Sequence, residues 1–316
     1  MHNSHSTLHH EKRLFRIRSG EGGQRLDRYL TSVLDDISRT IAQQMIIDGN
    51  VLVNGRSSKP GYVLRDGDEV LVILQATKPL SSNLKPLQLP LDIIYEDDDL
   101  LVINKPAGMV VHPAPGHSSD TLVNALLGYY PNLQGVEDDT RPGIVHRLDK
   151  DTSGLILVAK NARTQAALME QMKRHEIIKR YLALVEGVVA LDAGSIDAPI
   201  GRDPRRRQQM AITAASSREA RTHFRVLQRF ARHTLLLLQL ETGRTHQIRV
   251  HLKAIGYPIV GDPVYGASRT QREHMLSRQF LHAYQLQLVH PITGISMELE
   301  APLPEDLQAV LQEKNL

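Results

Sequence analysis

The sequence predicts an α+β protein of two domains: a small N-terminal α/β module, then a larger domain whose largely antiparallel mixed sheet is flanked by helices. Three observations carry this. The chain has 316 residues, more than one small core organises and enough for two. A stretch without periodicity, "QATKPLSSNLKPLQLP" from Gln75 to Pro90, divides it. Beyond Leu91 several strand patterns follow one another with no helix between them, which disfavours a doubly wound sheet.

Residues 1–20 read as a flexible tail. Residues 21–75 read as the module. Leu26, Leu30, Val33 and Leu34 recur at helical spacing, Ser38 can cap a second helix, and Ile41 and Met45 share a face of it. "NVLVNG" gives a short strand and an Asn54-Gly55 turn, a hairpin signal. A second turn at Asp66-Gly67 leads into a strand from Glu69 to Leu74. Residues 76–90 read as the linker and 91–316 as the large domain. Its expected strands are Asp92–Tyr95, Leu100–Asn104, Gly154–Lys160, Arg180–Glu186, Arg221–Leu227, Thr234–Glu241 and Leu281–Val289. Helices are expected at Thr121–Tyr129, Ala162–Arg174 and Thr245–Ile255.

Composition removes several function classes. Hydrophobic residues at 41% and charged residues at 23% are ordinary for a globular protein. Zero cysteines exclude disulfides, thiolate nucleophiles and cysteine-ligated metal centres. No apolar run approaches the ~18 residues of a membrane span, and the N-terminus lacks a secretory pattern. Neither GxGxxG nor GxxxxGK[ST] occurs, which removes dinucleotide and P-loop readings, and "DTSG" is not a GxSxG elbow. The 38 basic residues against 35 acidic ones say little by number. Their distribution says more: Glu96-Asp97-Asp98-Asp99 and Arg205-Arg206-Arg207 suggest separate faces, although solvated loops account for both equally well.

The densest polar chemistry lies in "IVHRLDKDTSGLILVAK", from Ile144 to Lys160, where His146 to Ser153 abut an apolar strand. A chemical role for Asp149 needs a cation to keep it ionised in a partly dry cleft; Arg147, Lys150 and the distant Arg249 are candidates. Asp151 lies two residues on, roughly 6–7 Å away if the segment is extended, which leaves a paired-carboxylate glycosidase open. His146 is a possible base, and a structural turn explains such a cluster too. In "THQIRVHLKAI", His246, Arg249 and Lys253 form one stripe and Ile248, Leu252 and Ile255 another. Gly243-Arg244 just ahead would place anion-attracting N–H groups at the helix start. Arg25, Arg28, Arg39 and Lys59 in the module, and Arg202, Arg205, Arg206 and Arg207 in "GRDPRRRQQM", are candidate phosphate contacts; solubilising cations are the plain alternative.

Two resemblances sharpen this. "RLDRYLTSVLDDISRTIAQQMIIDGNVLVNG" resembles the S4-type RNA-binding domain. "GIVHRLDKDTSGLILVAK" resembles the signature of the RluA-type pseudouridine synthases, its D-type branch most closely and its C-type branch next. "LLVINKPAGMVVHP", "TLVNALLGYYP", "KRYLALVEG", "LETGRTHQIRVHLKAIGYPIVGDPVYG" and "LHAYQLQLVHPITG" extend that likeness over nearly the whole chain. The resemblance implies the pseudouridine synthase fold, with Asp149 as nucleophile, Tyr181 stacking on the target base and assisting proton removal, and Arg249 pairing with the carboxylate. It implies that Arg147 holds the displaced strand, with Arg25, Arg28, Arg39, Arg205, Arg206, Arg207, Arg244 and His246 as further RNA contacts. The implied partner is 23S rRNA or a large ribosomal subunit precursor, at uridines of the intersubunit-bridge hairpin. No cofactor and no metal are implied, since substrate and product are isomers. The expected protein is a cytoplasmic monomer. A glycosylase using Asp149 and Asp151, and a non-catalytic RNA-binding module, are the alternatives.

Overall fold

The computed structural model describes residues 10–34, 39–75, 84–113, 117, 119–133, 142–204, 206, 209–214, 216–266 and 276–313. The chain divides into two compact units, Met1–Ser81 and Ser82–Leu316.

The first unit holds strand β1 (His10–Arg16), helices α1 (Leu26–Val33) and α2 (Arg39–Ile47), and strands β2 (Val51–Val53), β3 (Arg56–Ser57) and β4 (Glu69–Gln75). Its antiparallel sheet runs in the order β1-β4-β2-β3. Leu26, Leu30 and Leu34 bury one face of α1 against Ala42, Ile46, Val51, Val70 and Val72, as the helical spacing predicts. Asn54 (φ 52°) and Gly55 (φ 75°) both adopt left-handed backbone, the geometry of a two-residue hairpin turn. Inside the expected tail, residues 1–20, the structure differs: His10–Arg16 pairs with β4 along its whole length, from His10↔Gln75 to Arg16↔Glu69. Its charge-rich sequence hides it, because an edge strand need bury little of its side-chain surface. Ser38, the expected cap of α2, lies outside the described residues.

The second unit is built on a nine-stranded sheet. Its elements are β5 (Ile93–Glu96), β6 (Leu100–Lys105), α3 (Leu122–Tyr129), β7 (Ser153–Ala159), α4 (Ala162–Lys173), β8 (Ile178–Glu186), β9 (Ala193–Asp197), the hairpin β10 (Ile200–Arg202) and β11 (Met210–Ile212), β12 (Arg221–Arg229), β13 (His233–Leu240), α5 (Gln247–Ala254), β14 (Leu281–Val289), β15 (Ser296–Glu300) and α6 (Glu305–Leu311). The strand order is β5-β6-β7-β14-β8-β13-β12-β9, with β15 on β14. Only the β7–β14 pairing is parallel, so the predicted mixed, largely antiparallel sheet is what forms.

Strand β7 explains its own sequence. Ile156 and Val158 face one core with α3 and α5, while Leu155, Leu157 and Ala159 face a second core with Leu168 of α4. A strand covered on both faces reads as an unbroken apolar run. Gly154, its second residue, adopts φ 110°; a Cβ there would lie 2.2 Å from the Ala283 carbonyl oxygen of β14.

The expected linker needs correction over its described half. Leu84 and Leu91 pack on the main core. The Lys85 carbonyl accepts from Asn124 Nδ2 (2.9 Å) and Leu87 N donates to the Asn124 carbonyl (2.9 Å). Residues 84–90 are therefore a strap along α3, and the absence of periodicity marked an irregular segment rather than a free one. Among the described residues no helix is long and apolar enough to cross a membrane.

Candidate active site

The polar loop ahead of β7 is stitched to its own strand. Ile144 bridges Val158, Gly143 accepts from Ala159 N at 2.7 Å, and His146 Nε2 accepts from Leu157 N at 2.9 Å. The chain then turns, with Thr152 N donating to the Asp149 carbonyl (3.1 Å). This removes the extended segment on which an Asp149–Asp151 carboxylate pair depended.

A second layer holds the turn from beneath. Lys105 is fully buried, and its Nζ donates to the carbonyls of Pro106 (2.7 Å), Met109 (2.9 Å) and Lys150 (3.0 Å). All three protons of an ammonium are thereby used. Burial pushes this group down to about 7, against the pull of Asp151 and Asp149. Arg278 reaches the Asp151 carbonyl (3.3 Å) while its Nε and Nη2 hold Asp306 of α6. Gln279 donates to Thr152 Oγ1 (3.1 Å).

Asp149 emerges from this support beside α5. Arg249 Nη1 donates to its Oδ2 at 3.1 Å, a contact joining residues 100 apart in sequence. The side-chain exposures are 5% for Arg249 and 17% for Asp149, so the carboxylate is the member open to the cleft. The guanidinium's two-bond fork, however, goes to a different carboxylate. Arg249 Nε and Nη2 donate to Oδ2 and Oδ1 of Asp262, at 2.7 and 2.8 Å. Asp262 Oδ1 also accepts from Val264 N and Tyr265 N, and the Tyr265 ring lies 5.0 Å from the guanidinium. Asp262, Tyr265, Lys105 and Arg278 were missed by sequence reasoning. "GDPVYG" and "NKPAG" were visible as motifs, but nothing in residue type or spacing says that Asp262 faces Arg249.

Tyr181 of β8 is buried, and its phenol is pushed upward by burial and then by the Asp149 charge. It stays protonated at neutral pH, which fits an aromatic wall better than a proton acceptor. Burial likewise pushes His146 down to about 3. With Nε2 already engaged, it buttresses the loop, and the base role considered for it falls. His146, Arg147, Asp149, Tyr181, His246 and Arg249 line one cleft of about 510 Å³, within the size range of small-ligand sites.

The other expected contacts divide. Arg147 is exposed at the cleft mouth. Arg244 lines the cleft, but its Nε donates to the Glu219 carbonyl and its backbone N to Gln247 Oε1, so that N–H is not free for an anion. His246 lies at the entry of α5 in left-handed backbone, φ 55°. Tyr265 accepts from Met210 N, and its own hydroxyl proton then satisfies His246 Nδ1, 2.9 Å away. The α5 stripe is not a continuous solvent face: Lys253 is exposed, His246 half-buried and Arg249 buried. Arg206 is exposed on the β10–β11 hairpin; Arg205 and Arg207 lie outside the described residues. In the first unit, Arg28 is exposed. Arg25 and Arg39 each give two N–H groups to Asp27, which Gln43 also contacts at 2.7 Å. They organise α1 and α2 and present only the remainder of their guanidinium edges. Among the described residues no group of three or more metal-ligating side chains occurs.

The family model described as RNA pseudouridylate synthase matches residues 99–254, and the S4 domain model matches residues 24–70. An uncharacterized RNA pseudouridine synthase of Bacillus subtilis (strain 168) is 49% identical over 289 residues, spanning 92% of this chain and 93% of its own. The chain belongs to the RNA pseudouridine synthase family. Ribosomal large subunit pseudouridine synthase D of Escherichia coli (strain K12) is 44% identical over 301 residues, 92% of this chain and 90% of its own. Among solved structures, human RNA pseudouridylate synthase domain containing 4 superposes with a TM-score of 0.55 at 26% identity, over 70% of this chain and 91% of that one. Human domain containing 1 gives 0.54 at 30%, over 67% and 83%. The synthase is an isomerase, and its first unit is an S4 domain.

Proposed function

We propose that this synthase isomerises specific uridines of large-subunit rRNA, with Asp149 as the nucleophile. The relatives named for the large ribosomal subunit support the substrate. The single observation that carries the residue assignment is Asp149 held by Arg249 at 3.1 Å, beside Tyr181, at the floor of an open cleft.

A uridine in folded RNA must leave its stack to reach such a floor, and Tyr181 offers the aromatic wall that an extruded base needs. Asp149 then forms a transient covalent bond to the nucleoside. The N1–C1′ bond breaks, the detached uracil turns, C5 bonds to C1′, and the bond to Asp149 breaks again to return the free carboxylate. The C5 proton leaves and N1 gains one, so atoms balance without a redox partner, energy source or hydrolytic water. Arg147, Arg206, Arg244 and His246 hold the surrounding strand, and the S4 domain adds affinity through Arg28 and the outer edges of Arg25 and Arg39. Arg205 and Arg207 complete the basic hairpin. The proposed targets lie in the intersubunit-bridge hairpin, on 23S rRNA or its precursor subunit, and the enzyme works as a cytoplasmic monomer.

Incubation with rRNA transcribed without pseudouridine tests this. Carbodiimide-reactive residues should appear in intact large-subunit rRNA at a few discrete positions. Released uracil would instead indicate a glycosylase, and unchanged RNA a binding protein.

A further inference from the structure

Arginine and carboxylate groups pair most favourably as a fork, two parallel N–H donors on two oxygens. At this site the fork is given to the wrong carboxylate for catalysis. Its shorter bonds, 2.7 and 2.8 Å, run from Nε and Nη2 to Asp262, and one 3.1 Å bond runs from Nη1 to Asp149. Asp262 cannot turn away. It is buried, and two backbone N–H groups at 2.8 and 2.9 Å fix its Oδ1. The buried Tyr265 ring lies 5.0 Å from the guanidinium, its hydroxyl tied to Met210 N and His246; it backs the group without hydrogen-bonding it, so the two Asp262 bonds set the guanidinium's rotation.

We propose that Asp262 is a positioning residue for the isomerisation: by claiming the fork of Arg249, it limits the cation to a single hydrogen bond on Asp149 and leaves Asp149 Oδ1 free to attack the nucleoside. The inference rests on the reading of Asp149 as nucleophile. Without Asp262, the guanidinium pivots and closes a fork on Asp149. Both oxygens of that carboxylate are then occupied by N–H donors, and its lone pairs are drawn away from the reacting carbon. Charge agrees with geometry. Within this trio one cation is shared by two carboxylates, so Arg249 orients Asp149 without devoting its whole charge to it.

Asp262→Asn breaks the fork while keeping the loop, since its NH2 faces Arg249 Nε–H while its Oδ1 still accepts from Val264 N, Tyr265 N and the single remaining donor Arg249 Nη2. The expected result at saturating enzyme is a single-turnover rate roughly 30–300-fold lower, with the half-saturating RNA concentration within about threefold of wild type. A fall confined to half-saturation, or a rate change under about threefold, overturns the proposal. The same substitution on an Arg249→Lys background discriminates further. An ammonium has no fork to hold, so Asp262→Asn should there cost less than about threefold; an equal loss in both backgrounds means that Asp262 merely supports its loop. Should Asp262→Asn fail to fold, Asp262→Ser keeps a hydroxyl acceptor for the two N–H groups and carries the same expectations. Asp149→Asn is assayed alongside. Activity in that variant defeats the nucleophile reading itself, whereas a dead Asp149→Asn beside an unaffected Asp262→Asn defeats only this inference.

Discussion

Lys105 shows how a single residue shapes this site without touching RNA. Its Nζ is shared among three carbonyls, one of them that of Lys150, directly after the proposed nucleophile. Lys105→Met fills the same space but strands those oxygens, so unfolding free energy should drop by roughly 2–5 kcal/mol. The turnover rate should fall with it, because Asp149 loses its floor; denaturant melts with parallel single-turnover assays check both. Asp149, Arg249 and Tyr181, the proposed centre of the site, stand out in the sequence because their types and motifs point to them, and the structure brings them into one cleft. The buried supports do not stand out, since a lysine in "NKP" or an aspartate in "GDP" has no periodicity or charge pattern that announces a long-range partner. His146 shows the converse error. Its position beside the catalytic motif suggested a base, yet what fixes its role is the Leu157 N–H at 2.9 Å.

At the scale of elements, two junctions carry the architecture. Gly154 sits where β7 meets β14 in the sheet's parallel pairing, with no space for a Cβ. Gly154→Ala should cost roughly 2–5 kcal/mol, from positive φ and the collision together, and calorimetry on the full chain measures it. In the S4 domain, the α1–α2 pair is held by Asp27, whose carboxyl is kept well below its ordinary value of 3.8 by Arg25 first, with Gln43 and Arg39 adding to it. A depressed folded value means that the contribution is complete above about pH 4 and is lost as pH falls further. The protection factors of the α1 and α2 amides, with the intrinsic exchange rate at each pH divided out, should therefore fall on acidification from pH 5 to pH 3, and Asp27→Asn should flatten that dependence. Most elements were visible in the sequence: every expected strand of the large domain appears within a few residues of its place. Strands β9, β10, β11 and β15 were not foreseen. They are short or edge strands such as "AGSID" and "SMELE", whose half-exposed faces lack a continuous apolar signal.

For the whole molecule, the division at Ser81 and Ser82 gives each unit its own core. Removing residues 1–81 should leave a folded catalytic unit with weaker, more salt-sensitive RNA binding and blurred choice of uridine. The chemical step at saturation should change less than about threefold. Pseudouridine mapping after limited reaction would contradict this division of labour if the truncated enzyme marked the same positions at the same rate. Two domains were foreseeable from length and the aperiodic stretch; that residues 84–90 bind α3 was not, since the backbone bonds to Asn124 leave no trace in composition. The central claim is that one carboxylate, steadied by one guanidinium, performs the isomerisation. The most direct measurement is single-turnover conversion of an rRNA fragment by Asp149→Asn, with affinity for the same RNA determined in parallel. The account predicts a rate at least about 10³-fold lower and a dissociation constant within about threefold of wild type; conversion at a rate near wild type would contradict it.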